Sequence, residues 1–446
     1  MSSEVQQHTL ESLCLLVADC PHATPEWTET GVIVLRNQNI KGGRLDLSNP
    51  SYTDESHYLG RVRRAAPQAG DLVITREAPM GDVCQIPVGL KCCLGQRQVL
   101  LRPDPAKVDS RFLLYALQSP YLQHQIGWSE GTGSTVSNLR IPVLEALKVP
   151  TPPLGVQREV AELLGSTDDR ITLLRETNAT LEAIAQALFK SWFVDFDPVR
   201  AKMEGRAPEG MDEATAALFP DALEESELGW VPKGWTTATM ADVSTVGIGK
   251  TPPRKEQHWF SEDSNDVRWV SIRDMGAVGV FASGTSEFLT SEAVDKFNVR
   301  RVPDNTVLMS FKMTIGRVAI TDGEMTTNEA IAHFRLDSKS PLSSEFIYLH
   351  LRQFDFSSLS STSSIADAVN SKTVREMPIC VPNAEVSAAF QDQVSAVFAL
   401  LKTHEKQAQT LSTLRDTLLP RLISGQLRLP EAQAATEAAL GGALQA

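Results

Sequence analysis

The chain has 446 residues, of which 42% are hydrophobic, and a formal net charge of −13 at pH 7. This length predicts two to three domains, and no stretch reaches the roughly 18–20 apolar residues of a membrane-spanning helix. The polar N-terminus predicts no secretory signal. Six cysteines, without a C-x-x-C pair or histidines at zinc spacing, predict reduced thiols in a cytoplasmic protein.

The negative charge is concentrated between residues 156 and 239, whereas 1–155 and 240–380 are near neutral. Attraction to DNA depends on local basic surfaces rather than on the total charge of the chain. The net charge therefore neither supports nor excludes binding to nucleic acid.

The first module, residues 1–155, contains short β-rich runs between turn residues. Strands are predicted at 31–35, 71–75 and 98–101, and a helix at 111–118. This mixture of strands and helix predicts an α/β domain.

A long helix with an apolar stripe is predicted over residues 156–197, ending before Pro198. Its stripe recurs in alternating steps of three and four residues, which keep one face towards a partner helix as in a coiled coil. The stripe consists of Ile171, Leu174, Asn178, Leu181, Ala185, Leu188 and Trp192.

Residues 198–234 are rich in Pro, Gly and acidic residues, and this composition predicts an extended linker. The second module, residues 235–382, is again α/β. Strands are predicted at 268–272, 306–310, 317–320 and 331–336, and a helix at 345–352.

A second long helix is predicted over residues 383–428, with Gly425 as its C-terminal cap, followed by an Ala-rich tail at 429–446. Its stripe has the same spacing and consists of Val394, Val397, Leu401, His404, Ala408, Leu411, Arg415, Leu418 and Leu422. Two such helices, each roughly 60 Å long, can pair with each other. The pairing contacts are predicted at Ile171, Leu174, Asn178, Leu181, Leu188, Val397, Leu401, Leu411 and Leu418.

The polar members of the stripes, Asn178, His404 and Arg415, have two interpretations. A buried polar residue in such a stripe fixes the register of the helices; an exposed position is the alternative. A neighbouring aromatic cluster also has two interpretations, core packing or a docking surface for another subunit. We assign partner docking to the cluster Phe189, Trp192, Phe193 and Phe196.

The two modules share an internal repeat. Residues 70–83 resemble 305–318, residues 112–117 resemble 346–351, and residues 149–153 resemble 379–382. Copies of about 235 residues are too long for a solenoid repeat. The repeat predicts a duplicated domain with pseudo-two-fold internal symmetry.

Enzyme signatures are absent from the sequence. Gly249-Lys250-Thr251 ends like a phosphate-binding loop, but Ser244 stands where the first glycine is required and prolines follow. No G-x-G-x-x-G loop, no Asn-Pro-Pro-aromatic tetrapeptide and no catalytic histidine motif is present. We expect no catalytic residues, no metal site and no cofactor in this chain.

Basic residues in loops are the candidates for DNA contact, because Arg and Lys bind phosphates and the O6 and N7 atoms of guanine. A solvated surface charge is the alternative at each position. The candidates are Arg61, Arg63, Arg64, Arg76, Arg254, Lys255, Lys312 and Arg317.

Three segments, residues 188–205, 224–235 and 418–427, strongly resemble the specificity subunits of Type I restriction-modification systems. The resemblance extends from Gly31 to about Leu429. It implies two target-recognition domains (1–155 and 235–382) separated by two antiparallel spacer helices (156–197 and 383–428). Base-contacting residues vary within this family, so none is carried over from it.

The resemblance also implies the partners. Each recognition domain would read one half of an asymmetric, bipartite site in double-stranded DNA. Two modification subunits, which carry the S-adenosylmethionine, would dock and methylate adenine, and restriction subunits would cleave unmodified DNA. A scaffold that recruits proteins without DNA contact is the main alternative. A self-sufficient methyltransferase is disfavoured because no cofactor loop is present.

Overall fold

The protein is described here by a computed structural model covering residues 6–127, 138–359 and 369–442. The described residues form two compact units. Unit 1 is drawn from Met1–Leu173 and Gln407–Ala446, and unit 2 from Leu174–Lys406. No helix in the described ranges is long and apolar enough to cross a membrane.

The N-terminal part of unit 1 contains many short strands. They are β1 (Gln7–Thr9), β2 (Cys14–Asp19), β3 (Val32–Leu35), β4 (Ile40–Lys41), β5 (Arg44–Leu45), β6 (Ser51–Thr53), β7 (Leu72–Thr75), β8 (Val83–Gln85), β9 (Cys92–Leu94), β10 (Gln98–Pro103) and β11 (Lys148–Pro150). The helices are α1 (Glu55–Arg61), α2 (Ser110–Gln118), α3 (Pro120–Gly127), α4 (Ile141–Ala146) and the long α5 (Leu154–Phe193), of which residues 154–173 belong to unit 1.

Unit 2 has a similar composition of elements. Its strands are β12 (Leu223–Ser226), β13 (Gly229–Pro232), β14 (Thr236–Thr239), β15 (Thr245–Ile248), β16 (Phe260–Ser261), β17 (Val267–Val270), β18 (Phe281–Ala282), β19 (Glu287–Leu289), β20 (Val307–Ser310), β21 (Val318–Thr321), β22 (Thr326–Thr327), β23 (Ile331–Arg335) and β24 (Pro378–Val381). The helices after α5 are α6 (Asp197–Met203), α7 (Glu213–Ala217), α8 (Met240–Val243), α9 (Ile272–Met275), α10 (Ser291–Lys296), α11 (Ser344–Gln353), α12 (Ser371–Arg375), α13 (Ala384–Ile423) and, in unit 1, α14 (Leu429–Gly442).

The two units share their sheet order. The main sheet is β2-β10-β7-β8 in unit 1 and β15-β23-β20-β21 in unit 2, where β18 adds an edge strand. In both units a second sheet contains one parallel pair, β3 with β9 and β17 with β22. The two-stranded pairs β1-β11 and β14-β24 also correspond. The predicted fold class is confirmed: two similar mixed α/β domains with two long helices.

Both faces of each main sheet are buried, which explains the apolar runs in its central strands. In unit 1, Leu72 and Ile74 of β7 pack in the cluster that contains Phe112 of α2, whereas Val73 packs in the cluster on the other face. Successive residues of a strand point to opposite faces. Strand β20 of unit 2 shows the same alternation.

The ends of the first long helix differ from the prediction. Helix α5 ends at Phe193, Phe196 then adopts a left-handed conformation (φ 57°), and Pro198 lies in the first turn of α6. Proline is accepted there because the first-turn N–H has no partner within the helix. The second long helix ends near the predicted cap, Gly425, whose φ is 73°.

The segment predicted as an extended linker, residues 198–234, is folded. It contains α6, α7 and the β12-β13 hairpin, and its apolar residues Val199, Phe219 and Val231 are buried. The segment is rich in Pro and acidic residues, and its buried apolar residues are far apart in sequence. For these reasons the sequence did not indicate a folded structure. The tail also forms a helix, α14, with Ala432 buried in the core of unit 1.

Within unit 2, α5 and α13 run antiparallel. Asn178 donates a hydrogen bond to the carbonyl oxygen of Leu401 (3.1 Å) and accepts one from Nδ1 of His404 (2.9 Å). About three turns further along α5, the ring of Phe189 lies 5.9 Å from that of Phe390, which is earlier in α13. All of the residues predicted for helix pairing are buried or half-buried. The hydrogen bond between Asn178 and His404 joins the two helices.

Within unit 1, Asp168 of α5 joins three elements. Its carboxylate accepts hydrogen bonds from the hydroxyl of Tyr115 in α2 (2.8 Å) and from Nη1 of Arg415 in α13 (2.7 Å). Arg44, in β5, donates to the Asp168 carbonyl oxygen (2.5 Å). The Asp168 side chain is only 16% exposed and that of Arg415 24%, so solvent screens this ion pair weakly.

Replacing Asp168 with Asn is expected to lower the free energy of unfolding of unit 1 by about 2 kcal/mol, because Arg415 loses a half-buried charged partner. Hydrogen exchange of peptides from 154–173 measures the change. Asp169→Asn is the matched control: the Asp169 carboxylate is 72% exposed and binds the exposed Arg111, so its loss should cost under about 0.5 kcal/mol. Equal effects of the two substitutions would contradict the role of Asp168.

His350 of α11 makes unit 2 sensitive to acid. The residue is half-buried, its ring donates from Nε2 to the carbonyl oxygen of Pro378 (3.1 Å), and desolvation of the ring lowers its pKa to about 4. Between pH 6.5 and 4 the unfolded chain binds a proton that the folded chain excludes. The free energy of unfolding should therefore fall by about 3 kcal/mol from this residue as the pH drops across that range.

His350→Gln keeps an N–H donor but cannot titrate, so this part of the pH dependence should disappear. Urea unfolding followed by tryptophan fluorescence measures it, since Trp192, Trp235, Trp259 and Trp269 all lie in unit 2. His258→Gln, at an exposed position, is the control. A wild-type pH dependence in His350→Gln would refute the assignment.

Candidate DNA interface

Arg61 in unit 1 binds the protein's own backbone. Its guanidinium donates to the carbonyl oxygens of Leu94 (2.9 and 3.0 Å), Gly95 (2.9 Å) and Ala23 (3.0 Å). These bonds fix the turn between β9 and β10 against the segment that follows β2. Arg61 thus has a structural role, and its predicted contact with DNA stays a prediction.

Arg76 begins the loop after β7 and is also engaged within unit 1. It pairs with Asp19 (2.9 Å) and donates to the carbonyl oxygen of Leu139 (2.9 Å) and to Oδ1 of Asn138 (3.2 Å). Arg64 is exposed and reaches the carbonyl oxygen of Asp19 at 3.4 Å. Arg61, Arg64 and Arg76 therefore converge on residues 19–23, whereas Arg63 is exposed on the adjoining turn.

A polar cavity of about 330 Å³ opens beside Arg76. Glu77 joins two of its walls, accepting from Nδ2 of Asn138 (2.6 Å) and pairing with Arg97 (3.3 Å). Amide, guanidinium and carboxylate groups are those that pair with base edges in the DNA grooves. The lining residues are His22, Arg76, Glu77, Gln96, Arg97 and Asn138.

Sequence reasoning missed Gln96, Arg97 and Asn138. The available signal was Gly95-Gln96-Arg97, a short turn just before the strand predicted at 98–101. Nothing in the sequence showed that this turn lies beside the loop of Arg76.

Arg254 in unit 2 is held by an acidic partner and two aromatic rings. Its guanidinium makes a bidentate pair with Glu287 (2.7 and 2.8 Å) and lies 4.2 Å from the ring centre of Phe260 and 4.6 Å from that of Trp269. The hydrogen bonds from Arg254 lower the pKa of Glu287, so the pair stays ionised. This arrangement fixes the guanidinium plane in one orientation.

The remaining cations of unit 2 differ in exposure. Arg317 is half-buried and donates to the carbonyl oxygen of Ile272 (2.7 Å). Lys255 is exposed, and so is Lys312, whose ammonium lies 5.5 Å from the ring centre of Phe311. Lys312 and Arg317 lie on one loop, between β20 and β21.

The assignment of partner docking to Phe189, Trp192, Phe193 and Phe196 is wrong. All four side chains are buried, with at most 8% exposed, in the core of unit 2. Phe193 packs against Phe390 with ring centres 4.8 Å apart. The alternative interpretation, core packing, is the one that the structure supports, because the folded segment after α5 covers this end of the helix.

The described residues contain no group of three or more His, Cys, Asp or Glu side chains placed to hold a metal ion. The six cysteines are free thiols, and burial raises the pKa of Cys84 and Cys92 to about 12. These thiols are therefore un-ionised at neutral pH and poor nucleophiles.

Several specificity subunits are similar to this chain. The HindI specificity subunit of Haemophilus influenzae is 28% identical over 341 residues, which cover 67% of this chain and 73% of that protein. The MjaIX specificity subunit of Methanocaldococcus jannaschii is 24% identical over 371 residues, covering 81% and 78% respectively. The fold is similar to the crystal structure of a Type I system S subunit from M. genitalium, with a TM-score of 0.53, 16% identity, and coverage of 94% and 96%.

The family model for the Type I restriction modification DNA specificity domain matches residues 26–183 and 232–410. The two matches fall on the two copies of the repeated α/β fold, each extending into one of the long helices. The chain therefore belongs to the family of Type I restriction-modification specificity subunits, whose role is recognition of a DNA target.

Proposed function

We propose that unit 1 and unit 2 each read one half of an asymmetric, bipartite DNA sequence through the major groove. The observation that carries this proposal is the shared sheet order of the two units combined with different loop side chains. One scaffold used twice with different contacts suits two unlike half-sites.

The chain would act as the non-catalytic member of a cytoplasmic complex. Two modification subunits would supply the S-adenosylmethionine and the catalytic loop for adenine methylation. Restriction subunits would join them to cleave DNA that lacks the methyl group. In this division of labour the specificity subunit contributes affinity and sequence selection alone.

Mapping of N6-methyladenine in the host genome tests this function. We expect a split motif, two short unlike halves with a fixed gap, that disappears when this chain is deleted and returns with the plasmid-borne gene. In a gel-shift assay the chain with its modification subunit should show a sequence-dependent shift. A protein-recruiting scaffold would give neither a motif nor a shift.

Lys312→Ala should weaken DNA binding by the assembled complex to all sequences alike, because an exposed ammonium on a loop contacts phosphate through its charge. The slope of log K against log salt should become shallower by about one unit. Lys339→Ala, at another exposed lysine of unit 2, is the control. An unchanged affinity across the salt series would remove Lys312 from the interface.

The exposed face of α5 in unit 2 is a candidate surface for a modification subunit. Ile184 is 55% exposed and lies beside the exposed Ala183 and Ala187, and Val194, which is 47% exposed, directly follows the last residue of the helix. Helical spacing brings the first three of these residues to one side of the helix. Water-exposed aliphatic side chains on one face are typical of protein interfaces.

Ile184→Glu should therefore reduce assembly with the modification subunit about ten-fold or more, because a carboxylate would be buried without a partner. Analytical ultracentrifugation of the mixed subunits measures this. Val88→Glu, at a side chain 92% exposed in unit 1, should assemble normally. Normal assembly of Ile184→Glu would place the interface elsewhere.

A further inference from the structure

Two loops at equivalent positions in the units share several backbone features, although the Ala78-Pro79 peptide bond of the first loop is cis. One joins β7 to β8 (residues 76–82), and the other joins β20 to β21 (residues 311–317). Their lengths are equal, and positive φ angles occur at matching places. Within the loops the pairs are Ala78 (48°) with Met313 (60°) and Gly81 (88°) with Gly316 (86°). Before the preceding strands, Gly70 (88°) likewise matches Asn305 (56°).

The same hydrogen bonds close both loops. In unit 1 the amide of Gly81 donates to the carbonyl oxygen of Thr75 (2.9 Å), and the amide of Asp82 donates to the Thr75 hydroxyl oxygen (3.0 Å). In unit 2 Ser310 accepts the matching bonds from Gly316 (3.0 Å) and Arg317 (3.1 Å). The bonds that close each loop come from the backbone and one hydroxyl group, so this closure does not depend on which side chains the loop carries between them.

The side chains do vary. The first loop begins Arg76-Glu77-Ala78-Pro79, and the second begins Phe311-Lys312-Met313-Thr314. Loops of equal length that are closed by the same hydrogen bonds but carry different side chains are what two readers of different sequences require. By contrast, the strands on either side keep the same alternating burial.

Met313 has a strained backbone conformation, with a φ of 60°, and its exposed side chain makes few contacts that could compensate for the strain. A positive φ strains any residue with a β-carbon, whereas glycine adopts it freely. The Met313 side chain is also 85% exposed, so it adds little to the core. Residues under such strain cluster at binding sites, and a contact with another molecule would account for a methionine at this position.

The corresponding loop in unit 1 presents a charged side chain, not an apolar one, to its surroundings. Its Glu77 lines the polar cavity together with Gln96 and Arg97. A carboxylate can accept from the N4 amino group of cytosine, glutamine pairs with adenine, and arginine pairs with guanine. An exposed methionine instead offers an apolar surface, which suits the 5-methyl group of thymine.

We propose that these two loops are the base-reading elements of the protein. Met313 contacts a thymine methyl group in the half-site read by unit 2. Glu77, with Gln96 and Arg97, makes the polar base contacts in the half-site read by unit 1. This inference rests on the proposed function and adds to it the residues that select each half of the target.

Met313→Gly tests the unit 2 loop without damaging the fold, because glycine relieves the strained backbone. The methylation motif of the assembled complex should lose selectivity at one position of one half-site. Discrimination against the substituted base should fall about ten-fold in competition binding. Met313→Ala, which keeps the strained backbone, should show the same loss.

Glu77→Gln is the reciprocal variant, because it keeps the size and hydrogen-bonding capacity of the side chain but removes its charge. It should alter only the other half-site. Thermal unfolding of each variant shows that the fold is intact, and each motif is compared with that of wild type.

The outcomes separate the two levels of inference. A wild-type complex without any split motif would refute the proposed function. A wild-type motif retained in full by both Met313 variants would refute the base-reading loop while leaving the function intact. Equal weakening on all sequences would reassign Met313 to the DNA backbone, and a change in both half-sites would contradict the division between the units.

Discussion

The antiparallel pairing of α5 and α13 is the constraint on which both units depend. The core of unit 1 contains Val160 and Leu164 from α5 together with Leu418 and Leu422 from α13. The core of unit 2 contains Phe189 from α5 and Phe390 from α13. Unit 1 needs two separate stretches of chain, 1–173 and 407–446, whereas unit 2 is one continuous stretch, 174–406. In both units the long helices are part of the core, so they belong to the domains and do not merely separate them in sequence.

Polar contacts make this pairing specific. Asn178 and His404 bridge the helices in unit 2, and Asp168 and Arg415 bridge them in unit 1. Apolar stripes alone would tolerate a shift of register, whereas a buried polar group left unpaired is costly. Glu405 adds a tie within unit 2, accepting from the amides of Val280 (2.8 Å) and Phe281 (3.0 Å). Burial raises its pKa to about 7, but the two amide donors favour the ionised form.

The sequence predicted the elements whose burial leaves a strong pattern. The central strands were found because both of their faces are apolar, and the long helices because their stripes continue for many turns. Short edge strands such as β1 and β4 bury too few residues to show a period. The folded segment after α5 was missed because Val199, Phe219 and Val231 are too far apart to suggest a core. The aromatic residues at the end of α5 were then assigned to partner docking and not to a core, since the segment that covers them was not recognised.

The candidate site was harder to predict, because side-chain chemistry does not show which partner a cation has. Arg61 and Arg254 look alike in sequence, yet the first binds backbone carbonyl groups and the second binds Glu287 and two rings. Long guanidinium side chains reach groups distant in sequence, and only the fold reveals them. The internal repeat already aligned the two loops in the sequence. Only the structure shows that both contain a residue with a positive φ, Ala78 in one loop and Met313 in the other.

The division of α13 between the units has a consequence for synthesis of the protein. The chain leaves the ribosome from its N-terminus onwards, so residues 1–173 emerge before the rest of unit 1. Unit 1 cannot complete its core until residues 407–442 are made, whereas unit 2 is complete once residue 406 has emerged. The earliest domain to be made is thus the last to close. Until then the apolar surface that later receives Leu418, Leu422 and Ala432 is open to chaperones and proteases, which can therefore remove chains whose translation stopped early.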